Sequence, residues 1–190
     1  MSRLLIIGPP GAGKGTQAVK ISERLEIVAI STGDIFRANV KGGTPLGIEA
    51  KKYIDNGDFV PDSVTNNMVE DRLNQDDVAN GFLLDGYPRT SAQVDALDAM
   101  LAAKGIALDA VLQLTADDDE LVARLLKRAE IEGRADDTEE VIRHRLSLYH
   151  AETRIVVDRY EERGIVRKVD GIGAIDEVTD RVLAALNVNA

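Results

Sequence analysis

Residues 8–17 of this 190-residue chain read GPPGAGKGTQ, the stretch whose residue types and spacing have the clearest chemical consequence. Glycines at 8, 11, 13 and 15 let the backbone turn with its N–H groups pointing inward, as a nest for an anion. An apolar run at 3–8 (RLLIIG) precedes the loop, and an amphipathic stretch beginning at Lys14 follows it. In that setting the next helix adds its N-terminal dipole to the anion site. Lys14 then reaches the outer phosphates of a nucleotide, and Thr16 brings a hydroxyl near the accompanying metal. The general phosphate-loop pattern has Ser or Thr directly after the lysine, whereas here Gly15 intervenes. A glycine-rich turn without a ligand is the alternative; four glycines, a lysine and the strand–loop–helix setting weigh against it.

The remaining inventory narrows the chemistry by exclusion. Cysteine is absent, which removes disulfides, thiolate zinc sites and thiol nucleophiles. Only two histidines occur, His144 and His150, six residues apart near one helix surface, and neither is expected to be catalytic. No Ser/His/Asp or Cys/His constellation is present. The formal charge of −10 argues against a nucleic-acid partner, because phosphate backbones are bound by net-basic faces. A polyanionic substrate would therefore need a local cluster of cations. The opening MSRLLIIGPP has an apolar stretch of five residues, too short for a signal-peptide core or a membrane span. No segment approaches eighteen apolar residues in a row, so a soluble, cytoplasmic protein without a membrane partner is expected. No unexplained apolar stripe is evident, and a monomer is expected.

The elements that must position this chemistry alternate along the chain. Strands are predicted at 3–8, 27–30, 82–85, 110–114 and 165–169. Helical patterns fall at about 14–25, 61–73, 91–103, 117–128, 137–163 and 174–186. Alternating strands and helices predict an α/β fold, with a five-stranded parallel sheet covered by helices on both faces. Ligands of such sheets bind beyond the carboxyl ends of the strands. Two stretches depart from this plan. Residues 31–60 hold no strand-length apolar run and read as short helices punctuated by glycines and Pro45. Residues 129–137 (AEIEGRADD) are polar and lie between two helices. Both are candidate covers over a site. Asp137-Thr-Glu-Glu140 reads as an N-cap with a glutamate three residues on, starting the long helix.

GPPGAGKGTQ resembles the phosphate loop of adenylate kinases, a family that carries Lys-Gly-Thr. STGDIFR at 31–37 looks like the opening of that family's AMP site. LLDGYPRTSAQ at 83–93 looks like its strand-end segment, and GRADDTEEVIRHR at 133–145 like its C-terminal arginine pair. These motifs occur in the family's order over positions 8–173. The resemblance implies a P-loop NTPase-type three-layer sandwich forming one domain over 1–190. Its core would be 1–30, 61–126 and 138–190, with an AMP-binding insertion at 31–60 and a short lid at 127–137. It also implies reversible, Mg²⁺-dependent phosphoryl transfer, ATP + AMP giving two ADP, in adenine nucleotide homeostasis and purine salvage.

Carried over by resemblance, the ATP site would use Gly11, Ala12, Gly13, Lys14, Gly15 and Thr16, then Arg124 and Arg128, with Gly173 by the adenine. The AMP site would use Thr32, Gly33, Arg37, Asp58, Phe59 and Val60, then Gly86, Tyr87, Pro88, Arg89 and Gln93. Arg134 and Arg145 would lie between the two nucleotides; Lys14, Arg89, Arg124, Arg134 and Arg145 would be catalytic. Arginine suits this task because its planar fork binds phosphate oxygens two at a time. Arg124 and Arg128 stand four apart, so one helix face presents both.

Asp85 ends the strand at 82–85 and resembles the aspartate that holds Mg²⁺ through water; capping of the following turn is the alternative. Tyr87–Pro88 is a candidate cis peptide, since a sharp turn there would aim Arg89 inward. Five residues separate Arg128 from Arg134, as in short-lid bacterial members, and no zinc is expected. After His150 the text AETRIVVDRY lacks a proline expected in that stretch, which leaves the course of the helix open. Three functional alternatives remain: a kinase for UMP, CMP or GMP, a slowly hydrolysing nucleotide switch, and a catalytically dead scaffold.

Overall fold

In a computed structural model of the protein, residues 2–56, 60–133 and 137–187 are described. Five strands, β1 (Ser2–Ile7), β2 (Val28–Ser31), β3 (Gly81–Asp85), β4 (Ala110–Thr115) and β5 (Val166–Asp170), form one sheet in the order β2-β3-β1-β4-β5. All four pairings are parallel. The helices are α1 (Lys14–Leu25), α2 (Thr32–Gly42), α3 (Pro45–Asp55), α4 (Asp62–Leu73), α5 (Ser91–Ala103), α6 (Asp118–Glu132), α7 (Glu139–Glu161) and α8 (Ile175–Ala185).

Side-chain alternation along the strands builds two cores, one on each face of the sheet. Leu5, Phe82, Leu84 and Val111 point to the face covered by α4, α5 and the last turns of α7, where Met68, Leu97, Val156 and Tyr160 are buried. Leu4, Ile6, Leu83 and Leu112 point to the other, covered by α1, α6, α8 and the first turns of α7 through Ile21, Leu121, Val182, Ile142 and Leu146. The predicted three-layer α/β sandwich is the observed fold.

The element boundaries depart from expectation in instructive places. Strands β1, β2 and β5 are displaced by one residue from the apolar runs that announced them, because ladder pairing and not hydropathy sets their ends. Ser2 pairs with Gly81, and Asp170 with Thr115. The stretch 31–60 forms two eleven-residue helices, α2 and α3. Helix α6 runs four residues past Arg128 to Glu132, held by buried Ala129 and closed by Gly133 with φ 67°. Helix α7 continues unbroken through the stretch without proline. Its cap is Thr138, which accepts the Val141 N–H, and not Asp137; that carboxylate is committed to Arg145 at 2.8 Å. Among the described residues no helix is long and apolar enough to cross a membrane.

Candidate functional site

The strand order reverses direction at β1, whose neighbours β3 and β4 leave a crevice beyond the carboxyl ends. The phosphate loop fills it. Gly13 stands at the N-cap of α1 with φ 77°, a left-handed conformation that glycine adopts without a side-chain penalty. No side chain caps α1, so its first N–H groups face outward beside the loop. Register places Asp85 of β3 next to Ile6 of β1, and its Oδ1 lies 2.6 Å from the Lys14 Nζ.

Two cavities meet at this loop and share Gly8, Pro10 and Lys14. One, of about 430 Å³, runs along the outside of the loop past Thr16 to Arg124 and Arg128 of α6. The other, of about 330 Å³, opens between the segment 86–89 and α7, and Arg89 and Arg145 line it. Lys14 thus stands where two arginine-lined spaces join. Arg124 donates to the Gly11 carbonyl at 3.4 Å, and Arg128 lies 3.5 Å from Glu132.

On the second cavity's side, the Tyr87–Pro88 peptide is cis. Arg89 Nε donates to the Gly86 carbonyl at 2.9 Å, and that carbonyl also accepts Thr32 Oγ1–H at 3.4 Å. Gly86 itself has φ 89°, and a Cβ there would stand 2.7 Å from Thr32 Oγ1. Thr32 and Gly33 open α2, and Arg37, one turn on, pairs with Asp34. Gln93 is buried, with its amide oxygen accepting the Arg89 N–H at 2.7 Å. Tyr87 is buried and donates to Asn66 Oδ1 at 2.7 Å; burial, with the Tyr160 and Asp62 charges, pushes its phenol up.

Gly173 lies in the turn after β5. The N–H of Gly171 in that turn donates to the Thr115 carbonyl at 2.7 Å, and a Cβ on Gly171 would stand 3.6 Å from the Ala12 carbonyl. The turn therefore packs on the back of the phosphate loop. A buried bridge couples the loop's helix to α8: Gln17 Nε2 donates to the Ile175 carbonyl at 3.0 Å, and its Oε1 accepts from Thr179 Oγ1 at 2.7 Å.

The structure thus brings together Gly11, Gly13, Gly15, Thr16, Arg124 and Arg128 on one side of Lys14, and Gly86 to Arg89 and Arg145 on the other, whereas Ala12 is buried in the core beneath the loop and lines neither cavity. Thr32 and Gln93 gather behind Gly86 and Arg89, whereas Gly33 stands beside the Arg37 guanidinium, which is largely exposed. Arg134, Asp58 and Phe59 lie outside the described residues; Val60, half-buried, packs against the core beneath α4. His150 pairs with Asp118 at 2.9 Å, away from both cavities.

Sequence reasoning passed over Asp34 and gave Asp85 and Asp137 other roles, a Mg²⁺ contact and a helix cap; in the structure each of the three pairs with one of these cations. Such partly exposed pairs carry little net stability, so an anion of higher charge can displace them. It also passed over Tyr149, Glu152 and Thr153, which line the second cavity with Arg145. Their signal was spacing, since 145, 149, 152, 153 and 156 share one face of a helix. Among the described residues no three His, Cys, Asp or Glu side chains cluster to hold a metal ion. Thr16 and Asp85 offer the hard oxygens of a cation held mostly by phosphates and water, so the loop's donor set fits Mg²⁺ in that mode.

The adenylate kinase family model matches residues 6–165. An adenylate kinase from Pseudarthrobacter chlorophenolicus is 73% identical over 186 residues, covering 98% of this chain and 97% of that protein. One from Renibacterium salmoninarum is 72% identical over 187 residues, covering 98% and 97%. One from Thermobifida fusca is 54% identical over 188 residues, covering 99% and 100%. With two arginine-lined cavities joined at the phosphate-loop lysine and likeness over nearly its whole length, the chain belongs to the adenylate kinase family.

Proposed function

We propose that the protein transfers the terminal phosphoryl group of ATP to AMP, reversibly, giving two ADP. The observation that carries this reading is the junction of the two cavities at Lys14, each with its own pair of arginines. A hydrolytic switch needs one nucleotide site and a means of placing water. Two cationic spaces meeting end to end suit a donor and an acceptor.

Phosphoryl transfer asks a protein mainly for alignment and for positive charge around the moving group. The acceptor is a phosphate monoester with a second pKa near 6, ionised at neutral pH, so no general base is needed. In this reading the loop N–H groups and Lys14 hold the donor's phosphates, with Arg124 and Arg128 along their outer side. Arg89 and Arg145 hold the acceptor phosphate, and Arg134 joins them by family likeness. Lys14 leaves Asp85 for phosphate oxygens, because a polyphosphate carries more charge than one carboxylate. Thr16 and Asp85 would hold Mg²⁺, which neutralises charge on the donor phosphates when bound. Thr32 and Gln93 favour adenine at the acceptor site, and Gly173 lies by the donor's base.

Residues 31–60 act as the acceptor-side cover and 127–137 as a short lid. Their closure excludes water and so limits idle ATP hydrolysis. The enzyme works as a cytoplasmic monomer in nucleotide homeostasis and salvage. Scatter of the large exposed apolar side chains, among them Val19, Ile48, Ile131 and Ile175 on four different helices, supports the monomer.

The test is a panel of AMP, UMP, CMP and GMP with ATP and Mg²⁺, with ADP and free phosphate assayed separately. AMP is expected to be the best acceptor, with little free phosphate. Activity on UMP matching that on AMP, or phosphate release without ADP from AMP, would overturn the reading.

A further inference from the structure

Asp62 opens α4 where an acceptor site for a dianion has no evident use for a carboxylate. An acid in a helix's first turn has an ordinary explanation, since the N-terminal dipole favours negative charge. Asp62 is not used as a cap, however: the N-cap is Pro61, and α4 has no side-chain cap. Both its oxygens turn to the segment that follows Arg89. Oδ1 accepts from Gln93 Nε2 at 2.8 Å, and Oδ2 faces Thr90 Oγ1 at 3.5 Å.

Gln93 is 7% exposed, and the opposite end of its amide is also engaged, by the Arg89 N–H at 2.7 Å. A carboxylate can only accept and a backbone N–H can only donate, so the amide is oriented from both sides. Turned over, it would set NH₂ against N–H and oxygen against carboxylate, two repulsive contacts in a buried place. In the observed orientation one amide N–H and one lone pair are left over. Arg89, held at its backbone by Gln93, is held at its Nε by the Gly86 carbonyl.

We propose that Asp62 is a positioning and specificity residue of the acceptor site. It locks the Gln93 amide in one orientation, which fixes the Arg89 backbone, and it sets the order of donor and acceptor that the amide keeps for the nucleobase. This rests on the acceptor site proposed above. A 6-amino purine offers a donor beside an unprotonated ring nitrogen, and a 6-oxo purine offers the reverse, so a locked amide discriminates where a free one would flip.

The experiment compares wild type, Asp62→Ala, Asp62→Asn and Asn66→Ala by kcat and KM for AMP and for inosine monophosphate, at saturating ATP, with thermal melts of each. Asn66 is the control: it joins α4 to the same segment through Tyr87, whose hydroxyl also lies 3.4 Å from the Gln93 backbone carbonyl but leaves the Gln93 side-chain amide to Asp62 and Arg89. Asp62→Ala is expected to lower kcat/KM for AMP by about 10- to 100-fold, as a small misplacement of Arg89 would. The preference for AMP over inosine monophosphate should shrink by about tenfold, with KM for ATP unchanged. Asp62→Asn can still accept from Gln93 but is not obliged to, and should fall between on both readouts. Asn66→Ala should melt lower and keep the wild-type preference. A folded Asp62→Ala with wild-type preference and AMP kinetics overturns the proposal, as does an equal loss of preference in Asn66→Ala. If Asp62→Ala does not fold, a wild-type preference in Asp62→Asn does the same. Failure of the wild type to phosphorylate AMP would strike the proposed function instead, and the same assay reads it.

Discussion

Replacing Gly86 by alanine probes the acceptor side of the site without altering a charge. The position has φ 89°, and a left-handed conformation costs an L-residue about 1–2 kcal/mol. The added Cβ would also lie 2.7 Å from Thr32 Oγ1, inside an ordinary contact distance of roughly 3.5 Å. Thr32 is 8% exposed at the start of α2 and has little room to retreat, so the overpacking adds about 1–3 kcal/mol. Together these give about 2–5 kcal/mol, and in a chain this long each kcal/mol lowers Tm by about 2–4 °C. A fall of about 4–20 °C is expected in a melt followed by far-UV circular dichroism. Because the Gly86 carbonyl holds the Arg89 Nε, displacement of this turn should also lower kcat/KM for AMP by about 100-fold while KM for ATP stays unchanged. Thr32→Ala separates the two causes: without Oγ1, the Gly86→Ala change should cost only the backbone share of about 1–2 kcal/mol. Equal costs in both backgrounds, or a Gly86→Ala protein with wild-type melting and AMP kinetics, would refute this account.

Lys14→Met and Arg89→Ala should each lower turnover by orders of magnitude while the melt stays near wild type; near-normal turnover in both would contradict their roles. Gln17→Leu removes the buried link to Ile175 and Thr179 and should cost about 1–3 kcal/mol, seen as a lower urea midpoint. Burial pushes the phenols of Tyr87, Tyr149 and Tyr160 up, that of Tyr149 to about 12 against the opposing Thr153 hydrogen bond. Since an unfolded tyrosine ionises near 10, the folded state holds more protons above that pH. Stability should therefore fall as pH rises from about 10 to 12, and Tyr149→Phe should flatten the fall in urea midpoint.

The sheet was legible in the sequence because alternation marks both its faces: Leu4 and Ile6 enter one core and Leu5 the other. The phosphate loop and the motifs at 31–37 and 83–93 were legible because turn chemistry is local. The structure reports the cis bond at Tyr87–Pro88 that a sharp turn before Arg89 had suggested. Harder to read were features set by partners far along the chain. Helix α6 passes Arg128 because Ala129 is buried, which a polar stretch does not announce. Asp137 matched a cap pattern, yet Arg145 claims it and the cap falls to Thr138. Asp62 and Gln93 are 31 residues apart, and no periodicity links a first-turn acid to a buried amide on another helix.

The strand order has a consequence for how the two halves of the site are encoded. Residues 28–103 supply the β2–β3 edge with α2 to α5, Gly86, Arg89 and Gln93; residues 110–185 supply the β4–β5 edge with Arg124, Arg128 and the turn at 170–173. Each recognition surface thus draws mainly on one uninterrupted tract of chain, hinged about the central loop, with α7 the element of the second tract that reaches across through Arg145, Tyr149, Glu152 and Thr153. Grafting residues 28–103 from a relative with another acceptor base is therefore a one-cassette exchange, able to change what is phosphorylated while leaving what donates the phosphate untouched.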